Sequence, residues 1–249
     1  MEVLKEREKS KLLKGLNILD NRLELNETDK RYLINLQKGF NGEQFFDASV
    51  RKVMDKEVII LNDLFLRNKG ISFQIDSMIL TSDTLFVFEI KNFSGKYIRN
   101  SDGFSTVKGY EVANPLIQLS RMESFVHQLL NEWKIISKVE ANVLFIDPSF
   151  SLYNARIEDP IILPNQLEEY LESINRKSKV LNREQYYLAN NFIKLHENEV
   201  PHERQLPYYS YEELKKGLSC KSCGSFNMLI TQRSCYCKSC FNKSSVEEV

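Results

Sequence analysis

The sequence predicts an α/β (α+β) fold, a mixed β-sheet flanked by helices, with a small cysteine-rich module towards its C-terminal end. Three observations carry that expectation. Short runs of β-branched and aromatic residues crowd residues 57–91. Stretches with apolar residues at helical spacing lie before and after them. All five cysteines fall between positions 220 and 240. Strands interleaved with helices bury one core beneath a sheet covered by helices.

A chain of 249 residues, 42% of them hydrophobic, can form one substantial core with a small appendage. Lys plus Arg and Asp plus Glu number 34 each, so whole-chain charge gives no support to nucleic-acid binding, which has to rest on local patches. No stretch approaches the roughly 18 consecutive apolar residues that span a bilayer. The N-terminus is charged throughout and has no apolar core like that of a signal peptide. A soluble, cytoplasmic protein without a membrane partner is the expectation.

Along the chain, residues 4–37 read as helices, with Leu4, Leu12, Leu13, Leu16 and Ile18 near helical spacing. Gly39 and Gly42 punctuate the chain before a helix carrying Glu43, Phe45, Phe46 and Val50. Val58–Leu61, Ile71–Ile75 and Leu85–Ile90 read as strands, and Thr81-Ser82-Asp83 as a hairpin turn between Met78–Leu80 and Thr84-Leu85. A further hairpin pairs 96–99 with 104–108. Asn114-Pro115 starts a helix, with Asn as cap and Pro at the first helical position, and an apolar stripe continues to about Ile136. Val143–Ile146 and Ile161–Leu163 read as strands, and helices follow at about 165–176 and 183–197. The expected organisation is a helical extension at 1–37, a main domain at 38–200, a linker at 201–212 and the cysteine module at 213–249.

On a strand, residues two apart share a face, so Glu89 and Lys91 project together, away from Phe88 and Ile90. Apolar residues on both faces of this strand mark it as central, and a charged pair emerging from its end is unusual. Asp76 ends the preceding strand, close enough to Glu89 across the hairpin for the two carboxylates to repel unless a cation or shared proton relieves them. Oxygen ligands of this kind suit Mg²⁺ or Mn²⁺, and Lys91 can steady charge on a phosphate. Spacing alone also admits a solvated Glu89–Lys91 pair with Asp76 unrelated.

The succession Gly39-Phe40-Asn41-Gly42-Glu43, Gln74-Ile75-Asp76-Ser77-Met78-Ile79-Leu80, Leu85–Asn92 and Asn114-Pro115-Leu116-Ile117-Gln118 resembles the nuclease-related domain (NERD) family of the PD-(D/E)XK nuclease superfamily. The likeness spans roughly residues 38–150, and the ordered series is more specific than any one motif. It implies a restriction-endonuclease-like core with Asp76 and Glu89 as metal ligands, Lys91 as catalytic lysine, Glu43 as auxiliary acid and Gln118 lining the site. Ile75 stands where the superfamily motif has Pro.

Lys96, Arg99, Lys108 and Arg121 follow the acidic residues and can meet phosphates, or serve as ordinary surface charges. Tyr97, Phe104 and Tyr110 interleave with them and read as core packing. His127, His196 and His202 have no metal-ligand spacing and read as structural.

Cys220-x-x-Cys223 and Cys237-x-x-Cys240 are separated by 13 residues, the pattern of a four-thiolate structural Zn²⁺ site, and the segment resembles a zinc ribbon with a strand at Asn227–Thr231. Cys235 can replace Cys237 or remain a free thiol, and a redox pair is the competing chemistry. Lys215, Lys216, Lys221, Arg233, Lys238 and Lys243 make the module locally basic.

The expected function is a nuclease dependent on Mg²⁺ or Mn²⁺ that acts on nucleic acid, DNA in preference to RNA, with the ribbon holding substrate or partner. The rival is a non-catalytic adaptor. Protein partners or a homodimer can engage the N-terminal helices or the ribbon.

Overall fold

The computed structural model describes residues 1–101, 103–198 and 205–245 of the chain. The chain divides into two compact units, Met1–Glu8 with Lys38–Pro201 and Lys9–Gln37 with His202–Val249. The expected linker at 201–212 starts on residues 201–204, which lie outside the described residues, as does His202.

The first unit is built on a six-stranded mixed sheet. In chain order its elements are β1 (Glu2–Lys5), then, past α1 (Lys11–Arg22) of the second unit, α2 (Glu27–Val53), whose residues from Lys38 onward belong to the first unit. Next come β2 (Ile59–Asn68), β3 (Ile71–Leu80) and β4 (Thr84–Lys91). A smaller group follows, β5 (Lys96–Arg99), β6 (Phe104–Thr106) and β7 (Glu111–Val112). After α3 (Pro115–Trp133) come β8 (Lys138–Phe145), β9 (Ser151–Tyr153), β10 (Ile161–Ile162), α4 (Leu167–Lys177) and α5 (Arg183–Leu195). The main sheet has the order β1-β2-β3-β4-β8-β10, and β7-β6-β5-β9 form a second sheet.

Two cores lie on opposite faces of the main sheet. Leu85 and Val87 of β4 pack with Leu119, Met122 and Val126 of α3 and Leu188 and Phe192 of α5. Phe86, Phe88 and Ile90 pack with Phe46 and Val50 of α2 and Leu171 and Ile174 of α4. Each such side chain withdrawn from water contributes roughly 1.5–3 kcal/mol against the entropy of ordering the chain. The central position expected for β4 follows, since it pairs antiparallel with β3 and parallel with β8. The restriction-endonuclease-like expectation, a mixed sheet between helical layers, holds.

Several local expectations hold for the reasons given by their residues. Thr81 closes the hairpin turn, its N–H and hydroxyl both meeting the Thr84 carbonyl. Asn114 caps α3 by accepting from the Leu116 N–H, with Pro115 following at the first helical position. The helix stops at Lys134, which adopts φ 56, a left-handed C-terminal conformation, two residues short of Ile136.

Three expectations need correction. Residues 2–5 form a strand parallel to β2, so Leu4 belongs to the sheet and not to a helix. The α2 helix runs through Gly39 and Gly42 without a break. A helix tolerates glycine at a cost of about 1 kcal/mol each when packing outweighs it, and a Cβ on Gly42 would stand 2.7 Å from Asn92 Cβ and Ile146 Cδ1. Asp76 does not end a strand but sits inside β3, which continues to Leu80.

That interior position has a structural cause. Leu61 and Leu64 of β2 face the same core, as do Ile75 and Met78 of β3, although residues three apart on a regular strand face opposite ways. Both strands change phase together around Asp63 and Asp76. Asp63 has φ 52, a left-handed conformation that Asp tolerates better than most residues.

In the second unit, α1 buries Leu12, Leu13, Leu16 and Leu19 and is capped by Ser10, which accepts from the Leu13 N–H. The C-terminal part of the same unit forms β11 (Met228–Ile230), β12 (Ser234–Cys237) and β13 (Lys243–Ser245), an antiparallel sheet. The expected strand at 227–231 is β11. Arg22 donates to the Lys215 and Gly217 carbonyls and lies over the Phe226 ring. Among the described residues no helix is long and apolar enough to cross a membrane.

Candidate active site

The β3–β4 ladder ends at Ser77 opposite Phe88, one step short of Asp76 and Glu89. Beyond that point the Ile90 N–H has no backbone acceptor on β3, and Asp76 Oδ2 accepts from it at 2.7 Å. A side chain thus replaces the next rung of the ladder, which ties the Asp76 carboxylate to β4 beside Glu89. Lys91 Nζ reaches Glu89 Oε1 at 2.5 Å, in agreement with the shared face expected of residues two apart. Gln118 Oε1, on the first turns of α3, accepts from Lys91 Nζ at 3.2 Å. Glu43 arrives on α2 from the other face of the sheet. The structure brings Asp76, Glu89, Lys91 and Gln118 together, and Glu43 meets this group through the charge of Asp76.

Burial makes this an electrostatically costly place. Glu89 is 1% exposed, and among the described residues its buried Oε2 has no hydrogen-bond partner. A buried unsatisfied carboxylate oxygen costs more than a neutral orphan, so its position calls for a cation or a proton. Burial and then the Asp76 charge push the Glu89 acid up to about 7, with Lys91 pulling the other way. Burial and Asp76 push Glu43 up to about 8, outweighing the downward pull of Arg7. Burial likewise raises Asp76, against the Ile90 N–H, Lys91 and Arg7. Two neighbouring buried carboxylates with an orphaned oxygen match the donor set that Mg²⁺ or Mn²⁺ takes, one or two carboxylates with water completing the shell.

Three residues at this site, Arg7, Asp47 and Lys5, have no counterpart among the sequence expectations. Arg7, at the end of the N-terminal segment, places Nη1 2.7 Å from Glu43 Oε2 and Nε 2.9 Å from Asp47 Oδ2. Its Nη2 donates to Asp47 Oδ1 at 3.2 Å and to the Asp76 carbonyl at 2.7 Å. Nothing in the spacing connects position 7 with 43, 47 and 76. The one legible signal is that Asp47 follows Glu43 by four residues, on the same helical face. Nearby, Lys5 Nζ donates to the Asn62 and Asp63 carbonyls at 2.8 and 2.7 Å.

The other basic residues separate. Arg99 is committed to Asp159, Nε to Oδ2 at 3.2 Å with both side chains 10% exposed, and so is structural. Lys96, Lys108 and Arg121 are exposed. Phe104 is buried in the core and Tyr97 packs on Phe93 and Phe150, as core packing requires, whereas Tyr110 is exposed. His196 Nδ1 accepts from the Phe65 N–H at 3.1 Å, a structural role. His127 is exposed on α3.

In the second unit the Sγ atoms of Cys220, Cys223, Cys237 and Cys240 all lie within 4.8 Å of one another. Cys220 and Cys240 are 3.6 Å apart and Cys223 and Cys237 3.5 Å. Thiolates about 2.3 Å from a tetrahedral Zn²⁺ are separated by about 3.8 Å, so the four sulfurs fit that ion. The Cys240 backbone N–H leads the groups that hold the Cys237 thiol down at about 6. At Cys223 the Ser225 N–H is outweighed by the Cys240, Cys237 and Cys220 thiols, which push it up, so the cluster favours its first thiolate at Cys237. Cys235 is buried, pairs across the sheet with Ile230 and Ser244, and stands outside the four. Among the described residues this is the one group of three or more Cys, His, Asp or Glu side chains close enough to enclose a metal.

A family model described as the nuclease-related domain matches residues 38–146, the stretch that holds α2 from Lys38 onward, β2–β4, α3 and β8. No curated protein and no solved structure matches the chain.

Proposed function

From the nuclease-related domain that residues 38–146 carry, we propose that the protein is a metal-dependent nuclease that hydrolyses phosphodiester bonds of nucleic acid, DNA in preference to RNA. The observation that carries this reading is the buried, partnerless Glu89 Oε2 beside Asp76, at the point where β3 and β4 part.

Asp76 and Glu89 would hold Mg²⁺ or Mn²⁺. When bound, such an ion lowers the pKa of water and offsets charge on a scissile phosphate. The chain's own residues do the positioning. The Ile90 N–H fixes the Asp76 carboxylate. Lys91, held between Glu89 and Gln118, presents its ammonium where negative charge develops as water attacks phosphorus and the bond to the leaving oxygen breaks. Burial and the Asp76 charge favour the protonated form of Glu43 against the pull of Arg7, which supports a role as auxiliary acid toward the departing oxygen.

The cysteine module would bind Zn²⁺ structurally. Lys221, Arg233, Lys238 and Lys243 are exposed on it, which supports a role in holding the phosphate backbone. The clustering of all five cysteines between 220 and 240, four of them in one metal-sized group, supports a reducing compartment such as the cytoplasm.

The test incubates purified protein with circular and linear DNA, with and without Mg²⁺ or Mn²⁺. Cleavage that requires the added ion is the expected result. Binding without cleavage across metals and substrates would overturn the enzyme reading in favour of a non-catalytic adaptor.

A further inference from the structure

The paired phase change of β2 and β3 leaves backbone carbonyls facing away from the ladder at Asn62, Asp63 and Asp76. Buried carbonyls need donors. All three are served by side chains of the N-terminal segment, the first two by Lys5 and the third by Arg7. Arg7 does more than supply one donor. Its side chain is 3% exposed, and its fork also grips both oxygens of Asp47 and one of Glu43. One planar guanidinium thus fixes α2 and β3 relative to each other at the residue whose side chain continues to Ile90. Lysine, with a compact ammonium on a flexible stem, cannot reproduce three such directions at once.

We propose that Arg7 is a positioning residue of the acidic site, linking Glu43, Asp47 and the Asp76 backbone, so that the working unit comprises residues 1–8 together with 38–146. This builds on the nuclease reading for its consequence, though not for its geometry. Arg7 touches neither of the two carboxylates assigned to the ion. It holds the backbone of one of them and the side chain of their acidic neighbour. Partners at this remove from a metal commonly alter its affinity 10- to 100-fold, on the order seen for second contacts of ligands.

The experiment compares the full-length protein with Arg7→Met and Arg7→Lys. The first readout needs no metal: amide hydrogen exchange at Ile90, whose N–H is held by Asp76, against exchange at Leu80 and Leu85 in the intact part of the ladder. The second is Mn²⁺ affinity by calorimetry, with wild type and Asp76→Ala as references. Faster exchange at Ile90 alone, with Mn²⁺ affinity lowered about 10-fold or more in Arg7→Met and to a lesser degree in Arg7→Lys, is the expected result. Unchanged Ile90 exchange in a folded Arg7→Met protein overturns the proposal, as does a uniform rise in exchange across the ladder. If Arg7→Met fails to fold, Arg7→Lys decides in the same way, because it keeps the charge and loses the fork. Wild-type protein that binds no Mn²⁺, while Ile90 still loosens in the variants, upholds the positioning role and sinks the metal reading instead.

Discussion

Replacing Glu89 by Gln should abolish cleavage and yet stabilise the metal-free protein at high pH. Burial and the Asp76 charge raise the Glu89 acid from an ordinary 4.5 to about 7. A folded-state pKa above the unfolded one means that stability is complete at low pH and is lost as pH rises through that window. By linkage the ionised carboxylate removes about 1 kcal/mol at about pH 5 and about 3 kcal/mol at about pH 8. The substituted amide mimics the protonated acid and escapes this loss. It brings an unmatched donor that costs about 1–3 kcal/mol, but that penalty is the same at both pH values. The difference in unfolding free energy between Glu89→Gln and wild type should therefore swing by about 2–3 kcal/mol in favour of the variant from about pH 5 to about pH 8. Urea unfolding in Mg²⁺-free buffer, followed by tryptophan fluorescence from Trp133 of the first unit, reads that swing. Added Mg²⁺ at about a hundredfold its Kd should then raise wild type by about 2.7 kcal/mol and leave the variant unmoved. A pH-independent difference, or equal stabilisation of both proteins by Mg²⁺, would refute the reasoning.

Lys91→Met removes the ammonium held between Glu89 and Gln118 and should lower kcat about 10²–10³-fold with little change in substrate binding, measured by single-turnover cleavage. Gly42→Ala should destabilise by about 1 kcal/mol or more, because the new methyl group meets Asn92 and Ile146, and Asn92 is itself tied to the Lys38 carbonyl. Gly39→Ala, with open space around it, should stabilise by about 0.5–1 kcal/mol, so thermal melts of the pair should move in opposite directions. Zinc content by elemental analysis should be one ion per chain in wild type and in Cys235→Ser, and none in Cys240→Ser, since Cys235 lies outside the four-sulfur group.

Much of the site was legible because its residues act through local rules. The alternation of β4 placed Glu89 and Lys91 on one face, Asn114-Pro115 fixed the start of α3 and so the reach of Gln118, and the two C-x-x-C units specified the four sulfurs. What stayed hidden depends on long-range packing. Apolar spacing could not tell the strand at 2–5 from a helix, because four residues are too few to reveal a period. The left-handed Asp63 and the joint phase change with β3 leave no mark in hydrophobic patterning, so Asp76 read as a strand end. Arg7 looked like one charge among many in a polar segment, and only the fold carries it to Glu43, Asp47 and Asp76. Gly42 read as a break because a glycine's propensity is visible in sequence, whereas the close approach of Asn92 is not.

In the proposed nuclease, Asp76 and Glu89 together would make the cation-dependent cleavage site. The most direct test measures Mg²⁺-dependent DNA cleavage by the Asp76→Ala, Glu89→Ala double variant, with circular dichroism as the check on folding. Loss of all metal-dependent cleavage in a folded protein is the predicted result. Cleavage at the wild-type rate by that double variant would contradict the account.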